Sequence, residues 1–275
     1  MTKDKQTTSP LYILKKYRLR SIARSIFSHV ISDTVVMSYR KSGRTWLRLM
    51  YAKILQDQYN IKKIKLDTEY MTLFKSLPNV MFSQGGSTKT ENNVNFQKIY
   101  AKKKIILMIR DPRATLVSLY HDYNSRKVWT EPKTMSEFIR DEKYGLTPLI
   151  TFMNNWADEC KKRHDILILK YEDLYLQPET EMKRFLDHIN LKADDTNIKN
   201  AIEFGSAKNM RKMEEQKTFN DKRMLPANKD DPNSYTARKC KLGSFKEELL
   251  KEDLEYITTQ MKERLDSFYD YTQSS

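Results

Sequence analysis

After the apolar run Thr34-Val35-Val36-Met37 the chain reads Ser38-Tyr39-Arg40-Lys41-Ser42-Gly43-Arg44-Thr45-Trp46. A helical pattern then runs from Thr45 to Gln58, with Trp46, Leu49, Met50 and Ile54 on one face. Where a strand passes into a helix, successive backbone N–H groups form a cradle for an anion, and the helix dipole adds to it. Gly43 allows close approach of the backbone to an oxyanion, and Ser42 and Thr45 bring hydroxyl donors. Lys41 brings a mobile point charge, suited to an oxygen that gains negative charge as a group leaves. The pattern is not a Walker A loop, which would need glycine at Ser38 and lysine at Arg44.

A second basic cluster, Arg110-Asp111-Pro112-Arg113, follows the apolar run Lys104–Ile109. Arg110 stands at the carboxyl end of that run, where open α/β sheets hold their ligands. Asp111 caps and Pro112 starts a helix to about Tyr123, and Ser118, two turns along it, can present a hydroxyl to the same anion. By itself this cluster reads better as an Arg–Asp surface pair at a helix start. A third cluster is Arg238-Lys239-Cys240-Lys241. Basic clusters on two strands of one sheet imply a ligand with two separate anionic groups.

The elements that must position these residues alternate between strands and helices. Further apolar runs, Asp165–Leu169 and the weaker Asn79–Ser83, predict two more strands. Continuous rather than alternating apolar character fits strands covered on both faces. Helices are predicted at Gln177–Ile189 and Lys251–Phe268. The reading is an α/β fold in a single domain, with a mostly parallel central sheet flanked by helices. Apolar spacing from Leu11 to Ile31 predicts a basic amphipathic helix, packed on the domain or lying on an anionic membrane surface. Residues 215–238 lack apolar periodicity and read as a mobile loop, a candidate lid.

The 275 residues carry 50 Lys+Arg against 36 Asp+Glu, a formal charge of +14 that draws anionic partners. Cys160 and Cys240 are the two cysteines, far apart and without zinc-type spacing, so neither a disulfide framework nor a metal site is expected. A reducing, cytoplasmic setting follows from that reading. No apolar run approaches the length of a membrane span.

Together these residues resemble the sulfotransferase family that uses 3′-phosphoadenosine 5′-phosphosulfate (PAPS) as donor. Its first signature, Tyr-Pro-Lys-Ser-Gly-x-Thr-Trp, corresponds to Tyr39–Trp46 with Arg40 in place of proline. The resemblance implies a P-loop-like turn in which Lys41, Ser42, Gly43, Arg44, Thr45 and Trp46 hold the 5′-phosphosulfate. It makes Arg110 and Ser118 ligands of the 3′-phosphate. Tyr171, in Tyr171-Glu172-Asp173-Leu174, and Ser206 become adenine-side contacts, and Arg238, Lys239 and Cys240 a segment closing over the 3′-phosphate, with cysteine where the family has glycine. It covers about Val35 to Tyr271, and around Asp231–Tyr235 it is more similar to bacterial members. On this reading residues 33–275 are the sulfotransferase domain and 1–32 an N-terminal helix packed on it.

The family's usual catalytic His falls at Gln84, which takes no proton at physiological pH. His121 is the fallback base, with Glu69 and Asp122 behind it. The expected reaction moves a sulfuryl group from PAPS to a hydroxyl or amine of a small metabolite or carbohydrate, leaving PAP, without a metal. Segments Leu66–Leu77, Gln84–Asn95 and Tyr123–Thr147 would line the acceptor pocket, with Tyr70, Phe74, Trp129, Phe138 and Tyr144 as stacking surface or core. Three other readings remain open: a P-loop nucleotide kinase or phosphatase, a nucleic-acid or membrane binder, and a member that binds the donor without efficient transfer. The acceptor and the oligomeric state are not legible.

Overall fold

The computed structural model describes residues 26–84, 100–129 and 131–271. Strands β1 (Thr34–Ser38), β2 (Val80–Ser83), β3 (Lys104–Ile109) and β4 (Leu167–Lys170) form one parallel sheet in the order β2-β1-β3-β4. The main helices are α1 (Arg44–Gln58), α2 (Pro112–Ser125), α3 (Leu146–Lys162), α4 (Tyr171–Leu176), α5 (Pro178–His188), α6 (Asp195–Phe204), α7 (Ala207–Glu215) and α8 (Lys251–Arg264). The parallel α/β architecture is the one expected, and the strand limits shift by two residues at most.

Pleating divides the strand residues between two cores. Val35, Met37, Ile105, Leu107 and Ile109 face α2, α3 and α8 through Leu116, Leu119, Phe152 and Ile257. Val36, Ile106, Met108 and Leu169 face α1, α5 and α6 through Leu47, Met50, Tyr51, Phe185 and Ile198. With both faces covered, each central strand is apolar throughout rather than at alternate positions.

Register decides where function sits. Met37 pairs with Ser83, Ser38 with Met108, and Ile109 with Lys170. The residues that follow, the loop from Tyr39, Gln84, Arg110 and Tyr171, therefore emerge along one edge of the sheet. Asp111 caps α2 by accepting from the Arg113 N–H at 2.8 Å, and Pro112 occupies the first turn, as predicted. The C-terminal helix ends at Arg264, and residues 267–269 continue as a 3₁₀ turn.

The expectation of a mobile loop at 215–238 is corrected. α7 runs to Glu215, and the chain beyond it is irregular but anchored, with Met224, Tyr235 and Ala237 buried. The fully buried Glu214 accepts from the N–H of Thr236 at 2.8 Å and of Ala237 at 3.2 Å. Pro226 and Pro232 break helical periodicity, so single apolar anchors carry the packing and leave no repeating pattern to read. Residues 26–31 are helical, and the rest of the predicted 11–31 helix lies outside the described residues.

Replacing Glu214 by Ala leaves two buried N–H groups without an acceptor and is expected to lower stability by about 2 kcal/mol, read from urea unfolding. An unchanged urea midpoint would show that this segment is not anchored there.

Candidate active site

At the carboxyl edge of the sheet lies a cavity of about 670 Å³ lined by Lys41, Gly43, Arg44, Thr45, Trp46, Gln84, Arg110, Ser118, Tyr171, Ser206 and Cys240, among others. Eleven of the residues singled out from sequence thus meet around one space, whose size suits a small-molecule ligand. Ser42 is buried and does not line it.

The loop after β1 is built on two left-handed residues, Lys41 at φ 66° and Gly43 at φ 95°. A Cβ on Gly43 would lie 2.6 Å from Tyr171 Cδ2 and 2.7 Å from Met108 Cε, so only glycine fits beneath Tyr171. No side chain caps α1, whose first-turn N–H groups stand at the cavity. Arg110 donates to the Lys41 carbonyl at 3.0 Å, and its guanidinium lies 4.3 Å over the Tyr171 ring. Its Nε is buried without a hydrogen-bond partner. Trp46 meets Tyr171 edge-to-face at 5.6 Å, giving the cavity an aromatic corner. A cationic wall with an unsatisfied buried donor beside an aromatic corner fits an anionic nucleotide.

Ion pairs set the charge states. Lys41 Nζ lies 3.3 Å from Asp122, which also holds Arg40 at 3.4 Å and Arg126 at 3.1 Å. Burial draws the Lys41 ammonium below its ordinary pKa, and Asp122 opposes that shift. Burial alone would raise Asp122, but Lys41 and Arg126 outweigh it and hold the carboxyl low. Asp122 is therefore an ionised clamp rather than a base.

Several expected residues stand elsewhere. Arg238 makes a two-pronged pair with Glu248 at 2.7 and 2.8 Å, Lys239 pairs with Glu247 at 3.1 Å, and neither lines the cavity. Cys240 does line it, and adopts φ 47°, the left-handed conformation that glycine would take at no cost. His121 does not line the cavity, and its Nε2 meets Glu248 at 2.7 Å. Burial works against the charge on Glu248, yet hydrogen bonds from Arg238 and His121 bring it down to about 2. Facing an ionised acceptor, Nε2 must carry the proton, so that nitrogen is not available as a base. Glu69 is buried away from the cavity and its carboxyl is raised by burial.

The five aromatic residues considered for acceptor stacking do not line the cavity. Phe138 is fully buried, Trp129 and Tyr144 pack against the same core, Tyr70 stacks on Phe27, and Phe74 points to solvent. Instead the structure adds cations that sequence reasoning missed: Arg48, Arg126, Lys222 and Arg223. Only Arg48 left a signal, four residues after Arg44 on the same helix face.

A family model described as "Sulfotransferase domain" matches residues 32–269. The chain belongs to the sulfotransferase family. It is 25% identical to flavonol 4′-sulfotransferase of Flaveria chlorifolia over 90% of this chain and 81% of that protein. It is also 25% identical to sulfotransferase 1B1 of Mus musculus, over 88% and 83%. Among solved structures, mouse sulfotransferase SULT7A1 complexed with PAP matches with a TM-score of 0.63 and 17% identity, covering 89% of each chain. That likeness shows a shared fold. Among the described residues no helix is long and apolar enough to cross a membrane.

The Lys41–Asp122 pair gives this sulfotransferase a pH signature. A lowered lysine loses its proton at a lower pH than free lysine, so a step that needs the ammonium falls off as pH rises through that value. Asp122→Asn removes the anion that supports the charge. The alkaline limb of kcat/KM should therefore move to lower pH, and an unmoved limb would refute the coupling.

Proposed function

We propose that the chain transfers a sulfuryl group from PAPS to a hydroxyl or amine of a small-molecule or carbohydrate acceptor, releasing PAP. The observation that carries this reading is the placement of Lys41, on a strained turn joined to Arg110, at the mouth of α1. When bound, PAPS supplies an activated sulfuryl group on a good phosphate leaving group. The α1 N–H groups and Thr45 hold the non-bridging oxygens of the phosphosulfate. Arg110 and Ser118 hold the 3′-phosphate, while Trp46, Tyr171 and Ser206 border the adenine. Arg238, Lys239 and Cys240 belong to the same end, Arg238 and Lys239 closing on the phosphate after leaving Glu248 and Glu247.

Positioning and charge stabilisation supply the rate, as in phosphoryl transfer. Gln84, half-buried on the cavity wall, orients the acceptor by hydrogen bonding. The acceptor atom forms the new bond to sulfur as the bond to the bridging oxygen breaks. Lys41 meets the charge that collects on that oxygen, and the acceptor's proton passes to water. Among the described residues no histidine lines the cavity, and His121 Nε2 is committed to Glu248, which favours amines and acidic hydroxyls. The same observation supports a second reading, a member that binds the donor and transfers slowly. The cytoplasmic setting is part of this proposal, supported by the free thiols of Cys160 and Cys240 and by similarity to a plant protein named cytosolic sulfotransferase 10.

Lys41→Met should lower the turnover of PAPS by about a hundredfold or more, the scale for one lost stabilising donor, while PAP affinity falls far less. Labelled-sulfate transfer and PAP calorimetry measure the two. Intact turnover would contradict the role of Lys41, and failure of the wild-type chain to bind PAP would overturn the assignment.

A further inference from the structure

We propose that the acceptor is itself an anion, carrying a carboxylate, phosphate or sulfate that Arg48 and Lys222 engage on the β2 side of the cavity. The inference rests on the sulfotransferase reading above and specifies its substrate class.

Sheet order separates the two halves of the site. Arg110 and Tyr171 follow β3 and β4, whereas Gln84 follows β2 at the opposite side of β1. Arg44 and Arg48 lean towards β2: Arg44 donates to the Ser83 carbonyl at 2.7 Å and Arg48 to that of Phe82 at 3.4 Å. The Arg48 guanidinium also lies 4.7 Å over the Phe82 ring. Arg48 is only 4% exposed, lines the cavity, and its buried Nε lacks a hydrogen-bond partner among the described residues. Arg223 approaches from the anchored segment, fixed from behind by Asp67 at 2.6 Å and by Asp221. Lys222, beside it, is exposed at the cavity wall.

The charge balance then decides. Among the described residues eight cationic side chains line the cavity against two acids, Asp122 and Glu203. Asp122 is spent on Arg40, Lys41 and Arg126. Asp67 and Asp221 engage Nε, Nη1 and Nη2 of Arg223 from outside the lining, so its charge is met there, and Arg48 and Lys222 carry the charge that faces the space. Desolvation, with Arg223 and Arg44 close by, pulls the Arg48 guanidinium below its ordinary range. An oxyanion between these groups relieves their mutual repulsion and gains charge-assisted hydrogen bonds. A neutral acceptor would leave the buried Arg48 without a counter-charge, which is costly. The donor's 3′-phosphate has Arg110 and Ser118 on the β3 side and its phosphosulfate has the turn after β1, which leaves Arg48 and Lys222 to the acceptor.

The test uses the full chain saturated with PAP, titrated with 4-hydroxyphenylacetate and 4-hydroxyphenyl phosphate against the neutral 4-hydroxyphenylethanol. The anionic probes should bind at least about tenfold tighter than the neutral one. Arg48→Met should abolish most of that preference, and Lys222→Met, an exposed change that leaves packing alone, should reduce it by about threefold. PAP affinity should stay as in the wild type in both variants. Comparison of the two anionic probes separates a carboxylate from a phosphate requirement. Equal or tighter binding of the neutral probe, or a preference that survives both variants, overturns the inference while PAP binding stands. If the wild-type chain does not bind PAP, the underlying reading and this inference fall together.

Discussion

Arg110 donates to the Lys41 carbonyl while its guanidinium lies 4.3 Å over the Tyr171 ring, so one side chain at the end of β3 joins the ends of β1 and β4. The contact restrains Lys41 in a left-handed conformation that costs a non-glycine residue about 1–2 kcal/mol. It also brings a fourth positive charge against a loop that already carries Lys41, Arg40 and Arg44. Glu172 adds a further tie, accepting from the Asp111 N–H at 3.0 Å and from the Tyr271 hydroxyl at 2.8 Å. The strand ends are thus fixed to one another before any ligand arrives, which is the preorganisation that charge-stabilising catalysis requires.

The cations gathered by this framework rest on carboxylates: Lys41 on Asp122, Arg238 on Glu248, Lys239 on Glu247. The first two pairs are only partly exposed, so breaking either without replacement would strand a charge, whereas Lys239–Glu247 lies at the surface. A polyanionic nucleotide replaces one anion by another and avoids that cost. Binding of the donor is on this account an exchange of partners, which makes Asp122, Glu247 and Glu248 part of the affinity as well as of the resting structure. Glu248 also fixes His121, so movement of Arg238 would be felt at both.

The meeting of Lys41, Gly43, Arg110 and Tyr171 around one cavity was legible in sequence because these residues follow strands whose apolar runs are continuous, and parallel register places all such strand ends together. Gly43, Lys41, Arg110 and Tyr171 occupy the positions where only position along the chain matters. What escaped depends on distant partners. His121 stays open as a fallback base or a structural helix residue until Glu248, 127 positions away, is beside it. Arg48 reads as one more polar residue on a helix face until Phe82 and Arg223 close around it. Trp129, Phe138 and Tyr144 read as a stacking surface, yet large aromatic side chains are as readily core, and here they pack against Tyr123. The segment after α7 hid its order because isolated anchors such as Met224 leave no period.

The assignment of Arg110 to one terminal phosphate of the donor is where the account is most exposed. Calorimetric titration of PAP and of adenosine 5′-monophosphate, which lacks the 3′-phosphate, into the wild-type chain and Arg110→Met forms a double-mutant cycle. The account predicts that losing the 3′-phosphate weakens binding to the wild type by at least about tenfold and matters little once Arg110 is gone. Equal binding of the two nucleotides to the wild type, or the same loss for both on removing Arg110, would contradict it.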